Sequence, residues 1–322
     1  MVKELTRPGD LRPGAAPDSA WAFFGGEFVP LREAKVNVMT HAFNYGTGCF
    51  EGIRAYWNED ERQLYGLYLR EHYDRLLRSC KILRISLPYT AARLVDLTVE
   101  VLRRCGYQQD AYVRPLAYKA DQIIGVRLHD LEDALAIFAV PFGTYIDIEK
   151  GLKVGVSSWR RTDDNAIPAR AKITGSYVNA ALAKTEAQDA GYDEAIVLTQ
   201  DGHVSEGSAE NLFMVRDGIL VTPPASDNIL EGITRASVLR LAGDLGIPTV
   251  VRSIDRTELY ICEELFLCGT GAQISPVTSV VPRAGGDGPI GPVTTRIKDV
   301  YYAAVKGKLA RYKDWCTPIY GR

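Results

Sequence analysis

Two side chains in the second half of the chain have the chemistry for covalent and acid–base work. Lys172 lies in Arg170-Ala171-Lys172-Ile173-Thr174-Gly175, at the end of a long polar loop. An amine freed of its proton can attack a carbonyl carbon and later carry a proton. Glu206 lies in Val204-Ser205-Glu206-Gly207, after an expected hairpin, where a carboxylate could pair with a cation. Taken singly, a loop lysine or a glutamate beside glycine is usually no more than a solvated charge. Two backbone features suit an anion. Gly232-Ile233-Thr234 directly precedes an expected helix, whose first N–H groups and positive dipole end favour phosphate. Gly269-Thr270-Gly271 follows the apolar run Leu265-Phe266-Leu267-Cys268 and offers N–H groups and a hydroxyl. Thr234 alone could equally be an N-cap, and the Gly-Thr-Gly string only a tight turn. Gly46-Thr47-Gly48-Cys49-Phe50-Glu51-Gly52 is one residue off the dinucleotide fingerprint, but it leads into an expected strand, which excludes a Rossmann site.

These residues need elements to hold them. Trp21 to Pro30 reads as a hairpin about Gly25-Gly26. Phe50 to Trp57 and Gln63 to Leu69 read as paired strands. A helix is expected from about Arg70 to Leu83, with Tyr73, Leu76, Leu77 and Cys80 on its apolar face. A second runs from about Ala91 to Cys105 and stops at Gly106. Ala111 to Ala117 and Ala134 to Pro141 are strand-like. After a linker at 142–151 come a strand, Leu152 to Ser158, the loop Arg160 to Ala171, and a helix from Ser176 to Ala190. Two hairpins follow, turning at Asp201-Gly202 and Asp217-Gly218, the dipeptide most typical of tight hairpins. A helix from Thr234 to Leu245 ends before Gly246 and Pro248. The expected class is mixed α/β: a loose arm (1–18), a small α+β domain (19–141), the linker (142–151), and a larger α/β domain with a barrel-like sheet (152–322).

Composition removes several functions. With 38 basic against 40 acidic residues and a net charge of −2, no global basic excess exists to hold nucleic acid. The 6 cysteines form no C-x-x-C pair and only 4 histidines are present, so a zinc ribbon is not expected. Scattered thiols fit a reducing cytoplasm. The N-terminal stretch lacks an apolar signal core, and no run of about 18 apolar residues occurs to span a membrane.

The joint pattern is stronger than any part. HAFNYGTGCFEGIRAY (41–56), YLREHYDRL (68–76), AYVRPL (111–116), RAKITGSYVNA (170–180), VSEGSAENLF (204–213), EGITRASV (231–238) and CGTGAQISPV (268–277) follow one another in a fixed order. This set resembles the fold-type-IV pyridoxal-phosphate enzymes, and within them the branched-chain-amino-acid aminotransferases, from about Phe23 to Tyr301. The resemblance implies pyridoxal 5'-phosphate as cofactor, attached through a Schiff base to Lys172, whose amine would later shuttle a proton. It implies Glu206 at the pyridine nitrogen, keeping the ring protonated as an electron sink. Tyr177 would donate to the ring phenolate oxygen. Arg75 would pair with the phosphate, with Ile233, Thr234 and Thr270 completing its cup. On the substrate side it implies Tyr112, Thr270, Gly271 and Ala272 at the α-carboxylate. Arg114, helped by Tyr45 and Tyr145, would serve the distal carboxylate of glutamate. Phe50, Tyr45, Phe142 and Val126 would form the apolar wall. Tyr45 and the Ile124-Gly125-Val126 loop would come from a second copy, implying a homodimer at least.

The implied reaction is transfer of an amino group from leucine, isoleucine or valine to 2-oxoglutarate. The chain departs from the family pattern at Phe142, often tryptophan, at Gly271, often alanine, and at Gln273, often glutamate. The smaller Phe142 and Gly271 imply broader acceptance, towards aromatic amino acids or primary amines. D-Amino-acid aminotransferases and aminodeoxychorismate lyases share the Lys, Glu and phosphate motifs. Tyr112-Val113-Arg114 and Ile124-Gly125-Val126 favour the branched-chain group. A non-catalytic pyridoxal-phosphate carrier would need Arg75 and the glycine-rich cup but not both Lys172 and Glu206.

Overall fold

The computed structural model describes residues 16–143, 150–281 and 289–321. Its chain forms two compact units, Met1–Tyr145 with Val305–Arg322, and Ile146–Ala304. The arm expected at 1–18 lies largely outside the described residues, as do Tyr145 and most of the expected linker.

The first unit contains β1 (Trp21–Phe24), β2 (Glu27–Pro30), α1 (His41–Tyr45), β3 (Gly48–Phe50), β4 (Ile53–Asn58), β5 (Gln63–Leu67), α2 (Leu69–Ile82), α3 (Ala91–Cys105), β6 (Ala111–Lys119) and β7 (Asp133–Pro141). Its strands form one antiparallel sheet in the order β5-β4-β6-β7-β1-β2, with β3 also pairing with β6. Thr90 caps α3 by accepting from the Arg93 N–H at 3.2 Å, and Gly106 closes the helix at φ 65°. The buried face of α2 differs from the expected apolar stripe. Leu77 is only half-buried, while His72 and Arg75 are buried beside Tyr73 and Leu76. Two polar side chains on an inward face require an internal partner.

The C-terminal strand Cys316–Pro318 extends this first sheet by pairing with β5. Gln63 fastens the chain beyond it, accepting from the Tyr320 N–H at 2.8 Å and donating to the Tyr320 carbonyl at 2.8 Å. Residues 305–322, assigned from sequence to the second domain, therefore cluster with the first unit. A three-residue strand paired far along the chain leaves no periodic trace.

The second unit contains β8 (Leu152–Arg160), α4 (Tyr177–Asp189), β9 (Glu194–Leu198), β10 (Val204–Gly207), β11 (Asn211–Arg216), β12 (Ile219–Thr222), α5 (Ile233–Asp244), β13 (Thr249–Val251), β14 (Glu264–Gly269), β15 (Gln273–Val281) and most of α6 (Pro292–Val305). The strands form a mixed sheet in the order β10-β9-β8-β15-β14-β11-β12-β13. Of the molecule's two sheets, one curls into a half-barrel, as expected for the barrel-like sheet. Alternation along β9 feeds both faces. Ile196 and Leu198 join the main apolar core with Val154, Leu212 and Leu267. Ala195 and Val197 pack on Ala183 and Ala187 of α4. The β11–β12 hairpin turns at Asp217 and Gly218 with φ 52° and 72°, the double positive φ of a type I′ turn.

Candidate active site

In the second unit, buried Ala171 and Ile173 anchor the backbone on either side of Lys172, which is half-buried. The Lys172 Nζ donates to the Tyr177 hydroxyl at 2.6 Å. Tyr177 opens α4, so the helix start fixes the partner of the lysine.

Glu206 owes its placement to a β-bulge. Val204 of β10 pairs with Leu198, but Glu206 pairs with Val197, a one-residue slip at Ser205. Directly paired residues share a face. Val204 therefore points into the apolar core, while Glu206 turns to the face of Val197, which α4 covers. The carboxylate is 3% exposed. Its Oε1 meets Arg161 Nη2 at 2.5 Å. Its Oε2 accepts from Asn211 Nδ2 at 2.8 Å and from the Leu230 N–H at 3.2 Å. Burial pushes the carboxyl above its ordinary pKa, opposed first by the Arg161 charge, then by the Leu230 N–H, Lys172 and Arg235. Gly232 is required here for space. A Cβ at that position would lie 1.9 Å from Asn211 Oδ1.

Gly232 is also the N-cap of α5, with no side-chain capping bond. Thr234 is thus not the cap but the second helical residue, and it is buried. The opening N–H groups of α5 lack the side-chain acceptor that would normally satisfy them. Thr270, Gly271 and Ala272 form the turn joining β14 to β15, followed by Gln273 at φ 59°.

In the first unit, the partner of the buried α2 face is Glu51. This wholly buried carboxylate takes Arg75 Nε on Oε1 at 2.7 Å and Arg75 Nη2 on Oε2 at 2.8 Å. His72 Nδ1 lies 2.7 Å from Oε2, and against an ionised carboxylate it must be the donor. Burial pushes the Glu51 carboxyl up, but the charge and hydrogen bonds of Arg75, with those of His72, outweigh it and hold the group well below the usual range.

A second cluster forms on β6. Tyr112 and Arg114, two residues apart, share a face, and Arg114 Nη2 donates to the Tyr112 hydroxyl at 2.9 Å. The Arg114 guanidinium lies 4.3 Å from the Phe50 ring centroid. The Tyr112 ring packs at 5.3 Å on Phe142. Gly52 makes room, since a Cβ there would sit 2.1 Å from the Tyr112 hydroxyl. Arg54, 1% exposed, donates to the carbonyls of Phe142 and Gly143 and lies 4.8 Å from the Phe142 ring. Tyr45 instead packs on His41, and its hydroxyl accepts from the Gly125 N–H at 3.2 Å. Val126 is 89% exposed.

The first unit thus gathers Phe50, Tyr112, Arg114 and Phe142, and the second gathers Lys172, Tyr177 and Glu206. Sequence reading overlooked Glu51, His72, Arg54, Arg161 and Asn211. Glu51 stood inside the glycine-rich string already singled out. Its burial was the missing fact. No group of three or more His, Cys, Asp or Glu side chains suited to a metal occurs among the described residues.

The family model for amino-transferase class IV matches residues 48–280. The chain belongs to the class IV aminotransferases. It is 49% identical over 303 residues to a probable branched-chain-amino-acid aminotransferase of Aquifex aeolicus, covering 94% of this chain and 97% of that one. It is 38% identical to the branched-chain-amino-acid aminotransferase of Escherichia coli K12 over 93% and 97% of the two chains. The crystal structure of the Thermoproteus uzoniensis branched-chain aminotransferase with norvaline superposes with a TM-score of 0.89 at 46% identity, covering 93% and 99%. The branched-chain amino acid aminotransferase of Thermobaculum terrenum, in its pyridoxal-phosphate holo-form, gives 0.90 at 34% identity, covering 95% and 100%. Within class IV, the chain is a member of the branched-chain-amino-acid aminotransferase group.

Proposed function

We propose that this protein transfers the amino group of leucine, isoleucine or valine to 2-oxoglutarate with pyridoxal phosphate, the branched-chain transaminase reaction (EC 2.6.1.42). The observation that carries the reading is the pairing, in one unit, of a lysine amine on a tyrosine hydroxyl with a buried carboxylate. The donor set fits the cofactor. Among the described residues the polar contact of Glu206 Oε1 is the ion pair with Arg161, so an acceptor position remains for a ring N–H. The α5 start has no side-chain cap, which suits a phosphate.

When bound, the cofactor supplies an electron sink for the pair left at the substrate Cα. Lys172 Nζ would hold the cofactor, and its amine would carry the proton to and from that carbon. The Tyr177 hydroxyl orients this amine and donates to the ring oxygen. Glu206 holds a proton on the ring nitrogen. Arg75, Ile233, Thr234 and Thr270 are assigned to the phosphate. Tyr112, Gly271 and Ala272 are assigned to the α-carboxylate, Arg114 and Tyr145 to the distal carboxylate, and Phe50 and Phe142 to the apolar wall. Steady-state rates with leucine, phenylalanine and a chiral arylalkylamine test the reading. Turnover of leucine with 2-oxoglutarate is expected, and its absence would refute it. Confinement to valine, leucine and isoleucine would refute the broader acceptance ascribed to Phe142 and Gly271.

The reading includes a homodimer in which Tyr45 and Val126 serve the partner's site. Val38, Phe43, Ile124 and Val126 are 75%, 71%, 65% and 89% exposed. Their two segments are bound by the His41 Nε2 bond to the Gly125 carbonyl at 2.8 Å. An apolar patch of this kind suits a protein interface. Sedimentation at micromolar concentration checks it; a monomer would count against it. A cytoplasmic location is also part of the proposal, supported by six cysteines that are all buried free thiols. No helix among the described residues is long and apolar enough to cross a membrane.

A further inference from the structure

We infer that Arg161 is a positioning residue for Glu206, tying this carboxylate to the loop that carries Lys172 and holding it ionised against the cofactor ring. This rests on the role given above to Glu206. Arg161 follows β8, and its backbone N–H continues the pairing to β9 by donating to the Leu198 carbonyl at 2.8 Å. Its guanidinium is used on two nitrogens. Nη2 reaches Glu206 Oε1 at 2.5 Å, and Nε donates to the Asn228 carbonyl at 3.1 Å. Asn228 is itself fixed, in the left-handed region at φ 59°. Its side chain donates to Asp163 Oδ1 at 2.9 Å and accepts from the Asp164 N–H at 3.3 Å. Hydrogen bonds to Asn228 and the ion pair to Glu206 thereby join the start of the loop, the Asn228 backbone and Glu206 into one assembly, and the loop runs at its far end into Lys172.

The electrostatic consequence follows from burial. Glu206 is 3% exposed and Arg161 17% exposed on their side chains. The other groups on the carboxylate, Asn211 and the Leu230 N–H, are neutral donors. Removing the guanidinium takes away the largest opposing charge and leaves the buried carboxylate facing a protonated ring nitrogen with only the weaker influence of Lys172 and Arg235. In low dielectric the neutral arrangement then wins, with the proton on Glu206 and the ring nitrogen bare. Arg161 therefore decides on which atom that proton rests. A lysine could supply the charge but not the two-nitrogen fork.

The test uses 15N NMR of protein loaded with cofactor labelled at the ring nitrogen, whose shift reports protonation. Wild type is expected to show a protonated ring nitrogen. Arg161→Met is expected to move the signal to the unprotonated position. It should also weaken cofactor binding to the apoprotein about tenfold or more, the effect of roughly one pKa unit. Should Arg161→Met fail to fold, Arg161→Gln, which can still donate to Asn228, is expected to give the same shift. Glu206→Gln is the control. If it loses ring protonation while the neutral Arg161 variants keep it, the inference about Arg161 is overturned and the role of Glu206 stands. If Glu206→Gln itself keeps the ring protonated, the role of Glu206 falls, and this inference with it.

Discussion

Among the described residues, two buried carboxylates pair with an arginine, and they are set in opposite directions. In the first unit Glu51 takes both prongs of Arg75 and a third donor from His72, and its pKa is held well below the ordinary range. In the second unit Glu206 takes a single nitrogen of Arg161 with two neutral donors, and burial keeps its pKa raised. The first charge is compensated within the protein. The second is compensated only in part, which leaves it suited to a cation from outside. The two carboxylates therefore differ in how much of the desolvation cost the protein's own groups offset, and Glu206 is the one left for an external cation.

Breaking each pair should expose the difference. The largest effect is expected from Arg75→Ala, which strands an ionised, wholly buried Glu51. A loss of about 3–5 kcal/mol is expected in chemical denaturation of the apoprotein. Arg161→Met should cost less, about 1–3 kcal/mol, because Glu206 can neutralise itself by taking a proton. Equal losses would erase the distinction drawn here.

Two glycine substitutions sharpen the comparison at smaller scale. Gly232→Ala would place a Cβ 1.9 Å from Asn211 Oδ1 and displace the donor on Glu206 Oε2. It is expected to weaken cofactor affinity by about tenfold, measured by titration of the apoprotein. Gly52→Ala would place a Cβ 2.1 Å from the Tyr112 hydroxyl. It should raise KM for the amino acid and leave cofactor affinity close to wild type. A reversal of the two phenotypes would contradict the roles assigned to Asn211 and Tyr112.

The smallest effect concerns a third buried carboxyl, Glu210, pushed up to about 8 by burial and then by the Glu194 charge. The folded form keeps this proton while the unfolded chain releases it near 4.5. Stability should therefore fall as pH rises from about 4.5 to about 8, and stay reduced above that. Glu210→Gln should flatten this part of the Tm profile across the same window. An unchanged slope would show that Glu210 does not titrate there.

Much of the frame was legible because its physics is local. The Asp217-Gly218 turn needs two positive φ values, and α3 has both a threonine cap and a closing glycine. What escaped was decided by distant parts of the chain. The face of α2 was read as apolar at Leu77, yet His72 and Arg75 turn inward because Glu51, on another element, offers them a charge. The slip at Ser205 that re-aims Glu206 is a property of pairing with β9, not of the Val-Ser-Glu-Gly string. Arg161 looked like any loop arginine, since only Asn228 and Glu206 give its guanidinium a direction. The strand Cys316–Pro318 could not be assigned to the first sheet without knowing that Gln63 holds Tyr320. Lys172 and Glu206 were found through their place in a family-wide pattern, and the structure adds the groups that hold them.

The most direct measurement is on Lys172 itself. The purified protein, loaded with pyridoxal phosphate, reduced with borohydride and digested, should carry the cofactor mass on the peptide containing Lys172. Cofactor on another lysine, or no modified peptide in a protein that gains no visible spectrum with added pyridoxal phosphate, would contradict the account.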